Sequence, residues 1–381
     1  MPDNNQKVAI SISLSVVGVM LGFLLLLIFF SGCMQQTGVS NNTITNVPDQ
    51  PVVVNDMLGN RIVLAHPAER IIARGNAVLM LIAIGSGDKI IGTDQEILER
   101  KDIRENLRPD VINIGKTGGG GVLNLETVSQ LKPDVHIAYM GSFARNADKY
   151  RAINCTVFFY QGQGLETLND EAYALGEITG NREGAQRYIQ FNRKYQDLVE
   201  FRLANITHDE MLTIYGESQE YYVMPPKSIG GQIIADLHGI NVYENQNSTD
   251  SQILSQEWLF TKDPDVIIKI EGWEGWGRPF SISSTYERIT NRTGYNNLTA
   301  VKSNRVYIIH SELTHTPMAV VGEVYLAKAL YPDKFADIDP EAVRQEYIRE
   351  FHVSNYTAEW FYPPFEPVNA ALLHTDEPVN R

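Results

Sequence analysis

The chain has 381 residues, of which 43% are hydrophobic and 9% aromatic, and carries a formal net charge of −14. That length suits two domains of ordinary size, and the apolar fraction is enough to bury their cores. The acidic balance, with no dominant basic patch, argues against nucleic acid and anionic membrane surfaces as partners.

The first segment, Val8 to Phe30, is apolar and uncharged and long enough to span a bilayer as a helix. Lys7 precedes it and the next Lys or Arg is Arg61. The positive-inside bias therefore puts the remainder outside the cell. The run ends in FFSGC, with small Ser31 and Gly32 before Cys33. This resembles the lipobox of prokaryotic lipoproteins, which implies lipid on Cys33. An uncleaved anchor with an incidental cysteine is the other reading, because the apolar run is long for a signal peptide. Both readings tether a body to the outer face of a membrane. The expected division is a signal peptide or anchor over 1–33 and a polar, flexible tether over 34–51.

The body begins with two short strands in VVVNDMLGNRIVLA, joined by a turn. A βαβ rhythm follows: strand RIIARG, helix NAVLMLIAIGSG, strand DKIIGTD, helix Asn124–Leu131, strand DVHIAYM, a helix near Phe143–Ile153 and strand TVFFYQ. Leu165–Thr179 and Arg182–Asn205 read as helices. In the second, Tyr188, Phe191, Tyr195, Leu198 and Arg202 form one mostly apolar stripe. The order then repeats: strand MLTIYGE, helix SIGGQIIADLHG, strand INVYEN, helix Ser255–Thr261, strand DVIIKI, a helix near Ser284–Thr290 and strand RVYIIH. Short strands alternating with helices imply parallel sheets covered on both faces. The expected fold class is α/β: two Rossmann-like lobes with parallel sheets, over 52–163 and 206–352, joined by connecting helices over 164–205. A stiff helical joint predicts small lobe motions. The tail, 353–381, lacks periodicity, and Trp360, Phe361 and Tyr362 are the residues able to pin it to the body.

One sentence is written twice. NLETVSQLKPDVHI starts at Asn124 and SQEWLFTKDPDVII at Ser255. Each has a capping residue, Glu two places on (Glu126, Glu257), Pro-Asp nine and ten places on, and an apolar run. Helix-dipole stabilisation accounts for an acidic residue near a helix start. It does not predict one in the same place in both lobes.

Other chemistries lack support. Gly115-Lys116-Thr117 mimics the end of a phosphate loop, but Asp110 stands where its first glycine belongs. No His-Glu-X-X-His or Gly-X-Ser-X-Gly occurs. Eight scattered histidines lack a His-rich loop, so a bare zinc or manganese site is an alternative without a motif. An anchored extracellular enzyme on a related fold is the other alternative. Cys155 is expected to be a small buried hydrophobe. Asn-X-Ser/Thr triplets occur at Asn41, Asn154, Asn205, Asn247, Asn291, Asn297 and Asn355; Asn154 is expected to lead into a buried strand, and the others fit an exported, glycosylated surface.

Open α/β sheets bind ligands beyond the carboxyl ends of their strands. Those ends offer Arg74, Asn76, Tyr139, Phe143, Arg145 and Tyr160 from the first lobe, and Tyr215, Trp273, Trp276, Arg278 and His310 from the second. Aromatic faces bury a large flat ligand, and arginines pair with its anionic oxygens. Bland alternatives stand beside these: Tyr139 and Tyr160 pack under helices, Arg74 pairs with Asp94 or Glu96, and His310 and His315 are surface residues.

The order and spacing of these features resemble the substrate-binding proteins of iron-chelate and vitamin B12 ABC importers, over roughly Val52 to His352. NLETVSQLKPDVHI, VKSNRVYIIHSE and PMAVVGEVYLAKALYP carry the likeness most specifically. The resemblance implies a binding protein rather than an enzyme, with no resident cofactor. It implies a metal chelate (ferric siderophore, haem or corrinoid) as ligand and an ABC permease dimer with its ATPase as partner. It also implies that Glu126 and Glu257 dock into arginine-containing pockets of the two permease subunits.

Overall fold

The computed structural model of the protein describes residues 51–115, 124–141, 147–245, 248, 251–272, 281–352 and 359–365. All of them belong to one unit, 49–381. The apolar N-terminal run, Cys33 and the tether lie outside the described residues.

An antiparallel hairpin of β1 (Val52–Asn55) and β2 (Arg61–Leu64) comes first. Asp56 closes it by accepting the backbone N–H groups of Leu58 and Asn60 at 3.0 and 2.8 Å, an Asx-type turn. The first lobe then runs β3 (Ile71–Ala73), α1 (Asn76–Ala83), β4 (Ile90–Thr93), α2 (Gln95–Glu99), α3 (Lys101–Arg104), β5 (Ile112–Asn113), α4 (Leu125–Leu131), β6 (Val135–Tyr139), α5 (Ala147–Arg151) and β7 (Val157–Tyr160). Its sheet, in the order β5-β4-β3-β6-β7, is parallel throughout.

The connectors are α6 (Leu165–Thr179) and α7 (Arg182–Leu203). The second lobe runs β8 (Thr213–Glu217), β9 (Tyr222–Val223), α8 (Ile229–Asp236), β10 (Ile240–Asn241), β11 (Gln252–Ile253), α9 (Gln256–Lys262), β12 (Val266–Glu271), α10 (Ile282–Thr290), α11 (Thr299–Lys302), β13 (Val306–His310), α12 (Ala319–Leu330), α13 (Pro340–Phe351) and β14 (Phe361–Tyr362).

The second sheet departs from the all-parallel expectation. Strands β10, β8, β12 and β13 are parallel, but β9, β11 and β14 add antiparallel pairings at its margins. β14 belongs to the tail. Trp360 and Phe361 are buried, and the backbone N–H of His310 donates to Trp360 O at 2.9 Å. A chain crossing an open sheet edge satisfies that edge's unpaired backbone groups.

One apolar core runs through both lobes. It takes in α1 and α12, nearly every residue of which is buried, together with the inner sides of α6, α7 and α13. A helix that is hydrophobic all round belongs in an interior. The α7 stripe buries Tyr188, Phe191 and Tyr195 as expected, with Val199 and Leu203 completing it. Arg202 instead turns outward to pair with Asp337 at 2.5 Å. Polar ties reinforce this joint. Tyr188 Oη donates to Pro317 O at 2.7 Å. Arg100 of the first lobe pairs with Glu312 of the second at 2.7 Å, both almost wholly buried. Wide opening of the lobes would expose this core and break that pair, each at high cost.

Candidate ligand cleft and docking face

The two strand-entry segments fold alike. Asn124 caps α4 by accepting from the N–H groups of Glu126 and Thr127, and Ser255 caps α9 by accepting from that of Trp258. Each helix has seven residues, buries the residue four places after its cap (Val128, Leu259) and ends in a left-handed residue (Lys132 at φ 46°, Asp263 at φ 38°). Proline follows, because it cannot continue a helix. The Asp after that proline has the same task in both lobes. Asp134 Oδ2 accepts the N–H groups of Glu69 and Arg70, just before β3. Asp265 Oδ2 accepts the N–H and hydroxyl of Thr213, the first residue of β8. Each Asp thus clamps its strand to the parallel neighbour.

The fold accounts for cap, turn, Pro and Asp. Glu126 and Glu257 have no such task. Both are exposed. Glu126 accepts from Gln130 of its own helix at 3.3 Å. The Glu257 carboxyl is held below its ordinary value by its own N–H and by Ser255. A helix feeding a parallel strand runs antiparallel to it, so both glutamates lie toward the carboxyl edges of the sheets, where ligands bind in such folds.

At that edge, Asn76 opens α1 and joins the lobes. Its Nδ2 donates to Gly162 O at 2.7 Å and to His315 O at 2.5 Å. Gly162, at φ 67°, follows β7 and turns its N–H onto the buried carboxylate of Glu171. Burial raises the Glu171 carboxyl to about 8, with those N–H contacts opposing the shift. Beside this joint lies a polar cleft of about 380 Å³. Gln163 lines it from the connector side; Ser218, Gln219, Lys227, Ser228, Ser251 and His315 line it from the second lobe. Burial holds His315 down to about 3, so its ring is neutral at pH 7.

The expected ligand residues divide into three groups. Tyr139, at the end of β6, is 43% exposed and free to meet a ligand face. Arg74 is buried near the carboxylates of Asp94 and Glu96, the bland alternative for that residue. Tyr160 and His310 sit at strand ends as expected, whereas Tyr215 is the middle residue of β8; only 1, 3 and 2% of their surfaces are exposed, in that order. The Tyr160 ring packs into the shared core, and Tyr215 Oη donates to Glu217 Oε2 at 3.2 Å. His310 Nδ1 accepts the N–H of Glu312 at 3.1 Å, and its ring lies against Trp360. These three offer almost no surface to a ligand in this conformation. His310 and His315 are correspondingly not surface histidines. Phe143, Arg145, Trp273, Trp276 and Arg278 lie outside the described residues, as does most of the glycine-rich loop Gly115–Gly121.

Under the cleft of the second lobe, Glu217 is fully buried between cations. Arg292 donates to both its oxygens at 2.7 and 3.0 Å. Lys269 Nζ lies 3.7 Å from it and donates to Ser218 O at 2.6 Å. Arg292 also stacks 4.3 Å over the Tyr221 ring. Sequence reading missed Gln163, Ser218, Lys227 and Ser228. Lys227 and Ser228 had a signal: they open α8 at the carboxyl edge, as Asn76 opens α1. Among the described residues no three His, Cys, Asp or Glu side chains are grouped to hold a metal ion. Cys155 is buried, and burial raises its thiol to about 11.

Two α/β lobes, a helical joint and a polar cleft at the carboxyl edges define a bilobal ligand-binding protein. The chain belongs to the family described as Periplasmic binding protein, which it matches over residues 72–313. Similar curated proteins include the uncharacterized ABC transporter substrate-binding lipoprotein YvrC of Bacillus subtilis, 22% identical over 75% of this chain and 88% of the relative. Molybdate-binding protein MolA of Haemophilus influenzae is 22% identical over 84% and 93%. Vitamin B12-binding protein of Vibrio cholerae is 24% identical over 55% and 76%. The crystal structure of the TroA-like periplasmic binding protein FepB from Veillonella parvula shares the fold: TM-score 0.68 and 22% identity, covering 82% of this chain and 99% of that one.

Proposed function

We propose that this chain is the membrane-tethered, extracytoplasmic binding component of an ABC importer. It captures a metal chelate (ferric siderophore, haem or corrinoid) between its lobes and presents it to a permease. The observation that carries this reading is the pair of exposed glutamates. Every other repeated residue of their segments ties its helix or strand to the fold, and these two make contacts only within their own exposed helix starts. They lie on the edge of the sheets where the ligand binds, so one docking face would deliver cargo and read the partner together. One carboxylate per lobe suits a two-fold partner with one basic pocket per subunit. Charge pairing of this kind sets register and encounter rate.

On the ligand side, the reading draws on Tyr139 and the polar cleft, with Asn76 and Arg74 behind them; Phe143, Arg145, Trp273, Trp276 and Arg278 complete the proposed set. A second reading, a small oxyanion, has its own support in Lys227 and the three serine hydroxyls of the cleft.

A thermal-shift screen separates these ligands, since a tight ligand raises stability by mass action. Cobalamin, haem, ferric siderophores and molybdate are each added to the body from Pro51 onward. A shift with a chelate supports the first reading, and one with molybdate alone supports the second. Uptake of the ligand so identified then tests docking in cells. The double variant Glu126→Lys, Glu257→Lys is expected to bind ligand as before and to lose transport. Unchanged uptake would remove the docking role.

A further inference from the structure

The described residues contain four Asn-X-Ser/Thr triplets: Asn154-Cys155-Thr156, Asn205-Ile206-Thr207, Asn291-Arg292-Thr293 and Asn297-Leu298-Thr299. Asn41, Asn247 and Asn355 lie outside the described residues. All four described asparagines are exposed. The residue after each turns the other way: Cys155, Arg292 and Leu298 are buried and Ile206 is half-buried against the core. Each triplet is thus anchored by its middle residue with its amide facing water.

Three of the positions share a second property. Asn154, at φ 54°, sits in the turn that feeds β7, two residues before Thr156, whose carbonyl accepts the N–H of His136 near the start of β6. Asn205 follows α7 and leads toward β8. Asn297 precedes α11, whose Ala300 N–H bonds Pro264 O just before β12. Asn291 closes α10, a helix that starts beside Glu359 near the carboxyl end of β13. Asn154, Asn205 and Asn297 therefore lie on the approaches to the amino ends of the strands, while Asn291 lies beside Arg292, whose side chain reaches Glu217 at the end of β8. The cleft, Glu126 and Glu257 lie at the carboxyl ends.

We propose that these four asparagines are N-glycan acceptors, and that the sugars on Asn154, Asn205 and Asn297 cover the amino-edge side. This rests on the extracytoplasmic location proposed above, but not on the identity of the ligand. In the transfer, Asn Nδ2 bonds to C1 of an oligosaccharide carried on a lipid phosphate. The C1–O bond to the phosphate breaks, the lipid phosphate leaves, and Nδ2 gives up one proton. Beside Asn154 there is room for the first sugars: an open groove of about 560 Å³, also lined by Asn60, Arg61 and Arg151, whose polar groups suit sugar hydroxyls.

The test uses the full chain made in its own host. Intact cells are labelled with a membrane-impermeant amine reagent, and the protein is then digested and its Asn-containing peptides are weighed. Hexose-type mass additions at three or four of the asparagines, each removed by the matching Asn→Gln variant, are the expected result. An unmodified asparagine in two or more of the peptides, on protein that the reagent labels, overturns the inference and leaves the location standing. Protein that the reagent fails to label overturns both.

Discussion

The segments around α4 and α9 are near copies in backbone, cap and clamp, yet the strands they feed enter different interiors. In the first lobe, β6 places His136 in a wholly buried site, where burial, with Arg74 adding to it, holds the ring down to about 3 and so neutral. In the second, β12 places Lys269 beside Glu217 and Arg292, a cluster that is charged and buried. The difference separates what the fold demands from what it only tolerates. Pro-Asp and the cap recur because a parallel strand must be entered and clamped. The first lobe buries Arg74 and Asp94 instead, on other strands and loops, so a charge on the entered strand itself, Lys269, belongs to the second lobe's own architecture beneath the cleft.

The largest way to break this comparison is Glu217→Gln. Removing one partner of a buried ion pair leaves the cations uncompensated, at about 3–5 kcal/mol. Chemical denaturation is expected to show that loss. A change under about 1 kcal/mol would mean that water or another group already screens Arg292, and the contrast between the interiors would fail.

A pH scan of melting temperature comes next. Glu171 and Glu323 are carboxyls whose folded values are raised from 4.5 to about 8, chiefly by burial. The folded state therefore holds protons that the unfolded chain releases. Their stabilisation is full below 4.5 and is lost as pH rises toward 8. His136, His310 and His315 are lowered from 6.5 to about 3, 4 and 3, again chiefly by burial. The unfolded chain takes up those protons first, so stability falls as pH drops below 6.5. Between 4.5 and 6.5 both trends act, three histidines against two carboxyls, so these groups place the optimum toward the upper end of that window. Glu323→Gln is expected to flatten the alkaline limb while leaving the melt at pH 4.5 unchanged. An unaltered alkaline limb would show that Glu323 is charged in the folded protein.

Much of this architecture was legible because apolar runs, glycines and prolines mark the major strands and helices in order. What escaped has physical causes. β9, β11 and β14 are two-residue strands made by tertiary pairing, with no run long enough to show a period. Tyr160 and His310 do end their strands while Tyr215 lies mid-strand, and a strand residue faces either side of the sheet. Only the packed structure shows that Tyr215 points with Glu217 into the interior. Arg100 and Glu312 are 212 positions apart, and neither carries a local pattern that would pair them. The twin glutamates were visible because repetition is a sequence property. The reason that Pro-Asp recurs with them needed the hydrogen bonds of Asp134 and Asp265.

Those two aspartates give a finer test. Asp134→Ala and Asp265→Ala each remove a clamp between parallel strands, at about 1–3 kcal/mol. Asp265 is expected to cost more, because Thr213 loses the acceptor for both its N–H and its hydroxyl, and the site is the less exposed of the two. Equal or reversed losses would show that the hydroxyl contact and lower exposure at Thr213 add nothing to the clamp.

The smallest effect is at the caps. Asn124 accepts two N–H groups and Ser255 one, so Asn124→Ala should destabilise more than Ser255→Ala. Each change is worth about 1 kcal/mol. The second lobe holds a partial compensation, since Ser255 also hydrogen-bonds the Glu257 carboxylate. Losing that serine frees the glutamate and lets its carboxyl rise toward the ordinary value. NMR titration of Glu257 in Ser255→Ala therefore reads the same contact as the denaturation curve. An unmoved titration would show that cap and glutamate act separately, leaving the position of Glu257 to be explained by its partner alone.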